Sequence, residues 1–133
     1  MPIDCIIQTS EPELVLYICG RGNLLAKDLD HFRVFLDSHL HKGIPFKVFY
    51  DLRKVDGAPI HAIKKLTKYI NDCEELARQF IVASSVLVGG KIVEKLVNMV
   101  FSIKKPSTPT KVTASLQEAC DFLNSWDISE EPI

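Results

Sequence analysis

Between Phe46 and Leu66 the chain reads FKVFYDLRKVDGAPIHAIKKL, and no other stretch constrains its folding as strongly. An alternating apolar run ends on Asp51, a turn follows, and Pro59 opens an amphipathic helix. In the run, Val48 and Tyr50 share one face and Phe49 lies on the other, so both faces need cover, as in the middle of a packed sheet. In the helix, Ile63, Leu66, Ile70, Cys73, Ala77 and Phe80 recur every three or four residues and form one stripe to be buried. Lys64, Lys65, Lys68, Asp72, Glu74 and Glu75 fill the outer faces. Proline costs nothing in a first helical turn, because an N–H there has no intrahelical partner.

Upstream, IDCIIQT (3–9) and ELVLYIC (13–19) flank Ser10-Glu11-Pro12 and predict an antiparallel hairpin. Gly20-Arg21-Gly22 is expected to end the second strand and Asn23 to cap the next helix. Leu25, Leu29, Phe32, Leu36 and Leu40 carry that helix to Lys42-Gly43, with Pro45 just beyond it. Downstream, IVASSVLV (81–88) reads as a strand stopped by Gly89-Gly90. Lys91 to Ile103 reads as a helix whose apolar arc is wider than one buried face needs. The segment Lys104 to Pro109 breaks it and Thr110 to Ala114 predicts a short strand. Ser115-Leu116-Gln117-Glu118 has the capping-box pattern, opening a last helix that packs Leu116, Ala119, Cys120 and Leu123, with Trp126 at its end. The expected order is ββαβαβαβα. This is an α/β fold with a mixed four- to five-stranded sheet packed with helices, in which each later strand is reached through a crossover.

The 133 residues fit one domain, expected over 1–126 with an acidic tail over 127–133. A net charge of −1 offers no field to gather nucleic acid or anionic lipid. Local basic groups (Arg53/Lys54, Lys64/Lys65/Lys68, Lys104/Lys105) read as solvated faces. The start, MPIDCIIQTSE, has no basic segment followed by a long apolar core, and no apolar run approaches a membrane span, which points to the cytoplasm. Cys5, Cys19, Cys73 and Cys120 are scattered through apolar patterns without a Cys-x-x-Cys pair and read as small buried hydrophobes.

In this order of elements the chain resembles a STAS domain, the fold of SpoIIAA-like anti-sigma-factor antagonists and of the cytosolic tail of sulfate transporters. Phe46–Leu52 with Arg53-Lys54-Val55 is similar to the family's apolar strand ending in Asp-Leu and a valine-containing turn. The helix from Pro59 stands where the family has its switch helix. Val86-Leu87-Val88 with Lys91–Phe101, and Val112 with Ser115–Leu123, resemble the following strand and helix and the closing pair. The resemblance covers essentially the whole chain. It implies a regulatory protein-binding module rather than an enzyme. Antagonists of that family carry a phosphorylatable serine where strand meets switch helix, and phosphate there adds charge to a docking surface. Here the stretch is Asp56-Gly57-Ala58-Pro59-Ile60-His61, and no Ser or Thr occurs from Arg53 to Leu66, so that switch is absent.

Other chemistry is thinly signalled. His61 beside Asp56 is the nearest thing to an acid–base pair, but helix capping and strand ending explain Asp56 and Asp51. His39 and His41, two apart, share no helix face, and His31 adds no zinc spacing. Gly20–Asn23 and Gly89-Gly90-Lys91 stand between strand and helix, where a phosphate can sit, yet match neither phosphate-binding glycine pattern. Met99, Val100 and Phe101 in succession cannot all face one core. One of them is expected to be exposed, or to cover another subunit or a lipid-like ligand. The expected partner-binding surface is therefore Asp56, Gly57, Ala58, Pro59, His61, Lys64 and Lys65, with Met99 and Phe101 of the later helix. Lys64 and Lys65 would favour an acidic rim on a protein partner, a second copy of the chain being one form it can take. No cofactor, metal, nucleic acid or membrane insertion is expected. The alternative is a carrier or sensor of a small ligand, lipid-like or nucleotide, in a helix–sheet pocket.

Overall fold

The computed structural model describes residues 3–10 and 13–126. The turn at Glu11-Pro12, the Cys5 side chain and the tail from Asp127 lie outside what it describes. The elements are β1 (Ile3–Ser10), β2 (Glu13–Asn23), α1 (Ala26–Leu40), β3 (Phe46–Gly57), α2 (Ile60–Asp72), α3 (Glu74–Phe80), β4 (Ile81–Val88), α4 (Lys91–Ile103), β5 (Thr110–Thr113) and α5 (Leu116–Asn124). They build a five-stranded sheet in the order β1-β2-β3-β4-β5. β1 pairs antiparallel with β2, and every later neighbour is parallel. The expected α/β architecture is thus observed, with one helix more than the sequence pattern suggested.

Strand parity decides the layers. Leu16, Ile18, Phe46 and Val48 pack with Phe32, Leu36 and Leu40 of α1, Tyr69 of α2 and Ala77 of α3. Val55, Val86 and Val88 continue that layer against Val93 of α4. On the opposite face Phe49, Ala83 and Leu87 meet Ala119 and Leu123 of α5. β3 and β4 are therefore apolar on both faces, as the Phe46–Leu52 run demands. One polar group within this packing escaped the sequence pattern. Lys47 is only 1% exposed, and its Nζ donates to the Leu123 carbonyl at 2.6 Å. Next to it in function, the Ser85 hydroxyl donates to the Ala119 carbonyl at 2.7 Å, so two sheet residues hold α5 by its backbone.

Several boundaries depart from expectation. The glycines at 20 and 22 do not end β2, which runs on to Asn23, pairing irregularly with β3 as far as Gly57. Gly22 has φ +70, a conformation that lets a strand bulge instead of stop. Asn23 is consequently not the helix cap. The Asp28 carboxylate accepts from the Leu25 amide at 2.8 Å and takes that role from inside the first turn. The long helix expected from Pro59 breaks at Cys73, which closes α2 and opens α3. The bend turns the chain from α1 toward β4. The capping box at Ser115 is half formed: Ser115 Oγ accepts from the Glu118 amide at 3.2 Å, but Glu118 does not reach back. Thr113 stands between them, its hydroxyl accepting from the Ser115 amide and donating to the Glu118 carboxylate at 3.0 Å. Leu116, expected in the core, is 49% exposed because it precedes the first turn that meets the sheet.

Tyr69 joins α2 to α1. Its hydroxyl donates to Asp37 Oδ1 at 2.8 Å, and its ring meets Phe32 edge-on at 5.8 Å. Burial, then the bond to Asp37, push this phenol well above its ordinary value. The folded protein therefore holds the proton where the unfolded chain releases it, and stability falls as pH rises above about 10. Tyr69→Phe is expected to cost about 1 kcal/mol at neutral pH. Because the variant has no phenol to ionise on unfolding, its deficit should shrink above about pH 10. Urea midpoints of both proteins at pH 7 and 10.5 check this, and a deficit that stays constant would contradict it.

Candidate functional site

The parallel strands β2, β3 and β4 all deliver the chain to one end of the sheet, where α1, α2 and α4 begin. At this end β3 runs past Asp51 as far as Gly57, and the Leu24 amide donates to the Gly57 carbonyl at 2.9 Å. The joint is thus tied to the start of α1. Asp51 is gripped by Arg53, with Nη2 to Oδ2 at 2.7 Å, Nε to Oδ1 at 3.0 Å and the backbone amide at 3.1 Å. That guanidinium holds the Asp51 carboxyl below its usual range. Asp51 is therefore an ion-paired brace within β3, and although partial burial works the other way, the net effect of its surroundings lowers its pKa, away from acid catalysis.

The residues singled out in the sequence separate into two groups. Asp56, His61 and Lys64 are exposed around the start of α2, with Pro59 as its cap. Lys65 bonds to Asp30 of α1 at 2.7 Å. Gly57 and Ala58, together with Phe101 from α4, instead line a cavity between helices and sheet. Met99 is on the outer side of α4 at 37% exposed, while Val100, which is buried, and Phe101 both line the cavity, so the Met99–Phe101 triplet sends one residue to solvent and two to the cavity wall.

Two features of this end were missed. Ile60 is 60% exposed although it stands three residues before Ile63 and so belongs to the helical stripe. Within the same turn Ala62 and Ile63 are buried, so of its apolar residues only Ile60 is left uncovered, and periodicity cannot show how far a neighbour reaches. The second is the cavity itself, of about 210 Å³. Large side chains around it, among them Leu66, Ile70, Leu96 and Val97, stay half-buried, while the small residues Gly57, Ala58, Ala77 and Ser84 leave its walls unfilled. The cavity is open to solvent on one side, so a small molecule has a way in.

The glycine loops considered for phosphate are otherwise employed. Gly20–Asn23 is strand, and a Cβ at Gly89 would stand 2.4 Å from the Arg53 carbonyl oxygen, so Gly89 is a close-approach residue. Near the end of α1, His39 and His41 turn back, their Nδ1 atoms donating to the Phe35 and Asp37 carbonyls at 3.0 and 2.9 Å. Among the described residues no group of His, Cys, Asp and Glu is arranged to hold a metal, and no helix is long and apolar enough to cross a membrane. Cys19, Cys73 and Cys120 are half-buried rather than fully buried, and burial raises the Cys73 thiol.

Comparison with known proteins agrees with this geometry. An uncharacterized protein of the DUF3478 family from Shewanella loihica, with a SpoIIAA-like fold, superposes with a TM-score of 0.69 at 19% identity, covering 91% of this chain and 93% of that one. The anti-sigma factor antagonist SpoIIAA in its unphosphorylated form gives 0.58 at 13% identity, covering 91% and 98%. An anti-sigma factor antagonist from Mycobacterium paratuberculosis gives 0.55 at 11% identity, covering 92% and 94%. The fold is SpoIIAA-like, and the resemblance read from the sequence is borne out at that level. No curated protein matches the chain. A family model described as Domain of unknown function (DUF7793) matches residues 34–127.

Proposed function

The chain belongs to the DUF7793 family, and from that premise we propose that it is a non-catalytic, cytoplasmic regulatory module that acts by binding another protein at the start of α2. The SpoIIAA-like fold supports a module of this type, since two of the similar structures are anti-sigma factor antagonists. The observation that carries the reading is Ile60. A branched apolar side chain 60% exposed at a helix tip, between Pro59 and His61 and one turn before Lys64, has the composition of an interface anchor with a polar rim. Phosphorylation within Arg53–Leu66 has no hydroxyl to act on, so control comes from outside this stretch. The partner this surface fits has an apolar socket and acidic groups opposite Lys64.

Ile60→Asp tests it. The variant should fold as the parent does, within about 0.5 kcal/mol, since its side chain is in solvent. It should lose any partner that the parent captures from its source cells, whereas Val34→Asp, 64% exposed on α1, should keep it. Equal capture by all three proteins would remove this surface from consideration.

The cavity supports a second reading, that the chain holds a small ligand between helices and sheet. Its volume lies below the roughly 300–1,000 Å³ of drug-sized pockets, which favours a small occupant.

A further inference from the structure

Two serines stand side by side in the apolar strand β4, and parity sends them to opposite faces. Ser85 is fully buried, with its hydroxyl donated to Ala119. Ser84 is 6% exposed and lines the cavity, and its hydroxyl makes no hydrogen bond to another described residue. Among the described residues the one fully buried side-chain polar atom without a partner is His39 Nε2, so the Ser84 hydroxyl opens into the cavity, where it can meet an acceptor or donor. Other hydroxyl-bearing residues of the lining are Tyr50, Tyr69 and Thr110, the last paired with Ser84 across β4 and β5, and two more come from the α4–β5 connection. Ser107 and Thr108 line the same cavity, and the Ser84 amide donates to the Pro109 carbonyl at 2.9 Å, which sets that connection beside Ser84. The cavity thus gathers hydroxyl-bearing residues at Ser84, Ser107, Thr108 and Thr110, and has a mainly apolar body reaching Leu24, Val55 and Ala58 below the joint.

No Asp, Glu, Lys, Arg or His occurs among the residues lining it. A phosphate, carboxylate or ammonium drawn inside would lose its hydration with no countercharge to replace it. Resting on the reading of the chain as a ligand holder, we propose that this cavity binds one uncharged, mainly apolar molecule carrying a hydroxyl or carbonyl oxygen, seated with that oxygen at Ser84. The chemistry excludes nucleotides as occupants. The space exceeds the roughly 150 Å³ of an engineered apolar cavity that takes benzene, so an aromatic ring with a short polar substituent fits.

The experiment titrates the full chain with toluene, benzyl alcohol, benzoate and benzylammonium at neutral pH, following backbone amide shifts. Toluene and benzyl alcohol should saturate one site, with shifts centred on Ser84, Val97 and Thr108. The two ions should bind at least about tenfold more weakly. Ser84→Val should weaken benzyl alcohol about fivefold and spare toluene, because it removes the hydroxyl that meets the ligand's oxygen. Val97→Phe should block both neutral probes by filling the space. If no probe saturates the parent protein, the ligand-holding reading itself falls, and this proposal with it. If the ions bind as well as the neutral probes, or Ser84→Val weakens both neutral probes alike, the pocket stands and the proposed ligand chemistry is overturned.

Discussion

Gly89→Ala is expected to destabilise the protein by about 3 kcal/mol, a fall of roughly 10 °C in melting temperature. The added methyl would stand 2.4 Å from the Arg53 carbonyl oxygen, 3.0 Å from its Cα and 3.1 Å from its carbonyl carbon. All three are backbone atoms, so no side chain can rotate away. Room can be made only by parting β3 from β4 where Leu52 pairs with Val88, just before the joint. Gly90→Ala is the matched control. Nothing lies within 4 Å of its Cβ position, and its φ of −173 is ordinary extended backbone, so the change should stay within about 0.5 kcal/mol. Thermal unfolding of the two variants decides the matter. Equal melting temperatures would mean that the strands separate freely at this end, and that the joint is less firmly held than described.

The second large effect belongs to Lys47. Lys47→Ala is expected to cost about 3 kcal/mol, because it empties a fully buried stem and removes the donor to the Leu123 carbonyl. That carbonyl belongs to the last turn of α5, where a cation also offsets the negative end of the helix dipole. Lys47→Met restores the volume without the donor and should recover about half of the loss. Urea unfolding gives the two stabilities, and amide exchange along α5 shows where the loss falls. If Met matched Lys, the bond to Leu123 would contribute nothing. If Ala cost under about 1 kcal/mol, α5 would be anchored by Ser85 and its apolar side chains alone.

The contrast between these residues shows what could be read in the chain. Apolar periodicity in Phe46–Leu52, Ile81–Val88 and Lys91–Ile103 determined strands and helices that the structure reproduces within a few residues, and with them a mixed sheet reached through crossovers. A hydrophobic pattern reports a local preference that survives folding when every neighbour agrees with it. The same pattern misjudged Gly20 and Gly22, since a glycine that can end a strand can equally bulge one, and only the pairing of β2 with β3 chooses. It ran α2 and α3 together because nothing local forces the bend at Cys73.

The candidate site was legible in part. The joint at Asp56 to Lys65 was read from Pro59 and the change of period, and the sequence alone established that it holds no hydroxyl to phosphorylate. Which of its residues face solvent was not legible. Ile60 continues the buried stripe in sequence yet stands clear of the sheet, and Lys47 breaks the strand's apolar pattern yet is buried. Residue type and period define which face a side chain takes. How much of that face is covered depends on where another element ends, and that is a long-range quantity. The cavity is the extreme case, formed where α2 and α4 cross small residues at Ala58, Ala77 and Ser84 that are distant in the chain. Sequence therefore determined the layers and the place of the joint. Tertiary packing alone decided the gap between those layers, because a void is a property of surfaces that meet imperfectly and not of any one segment.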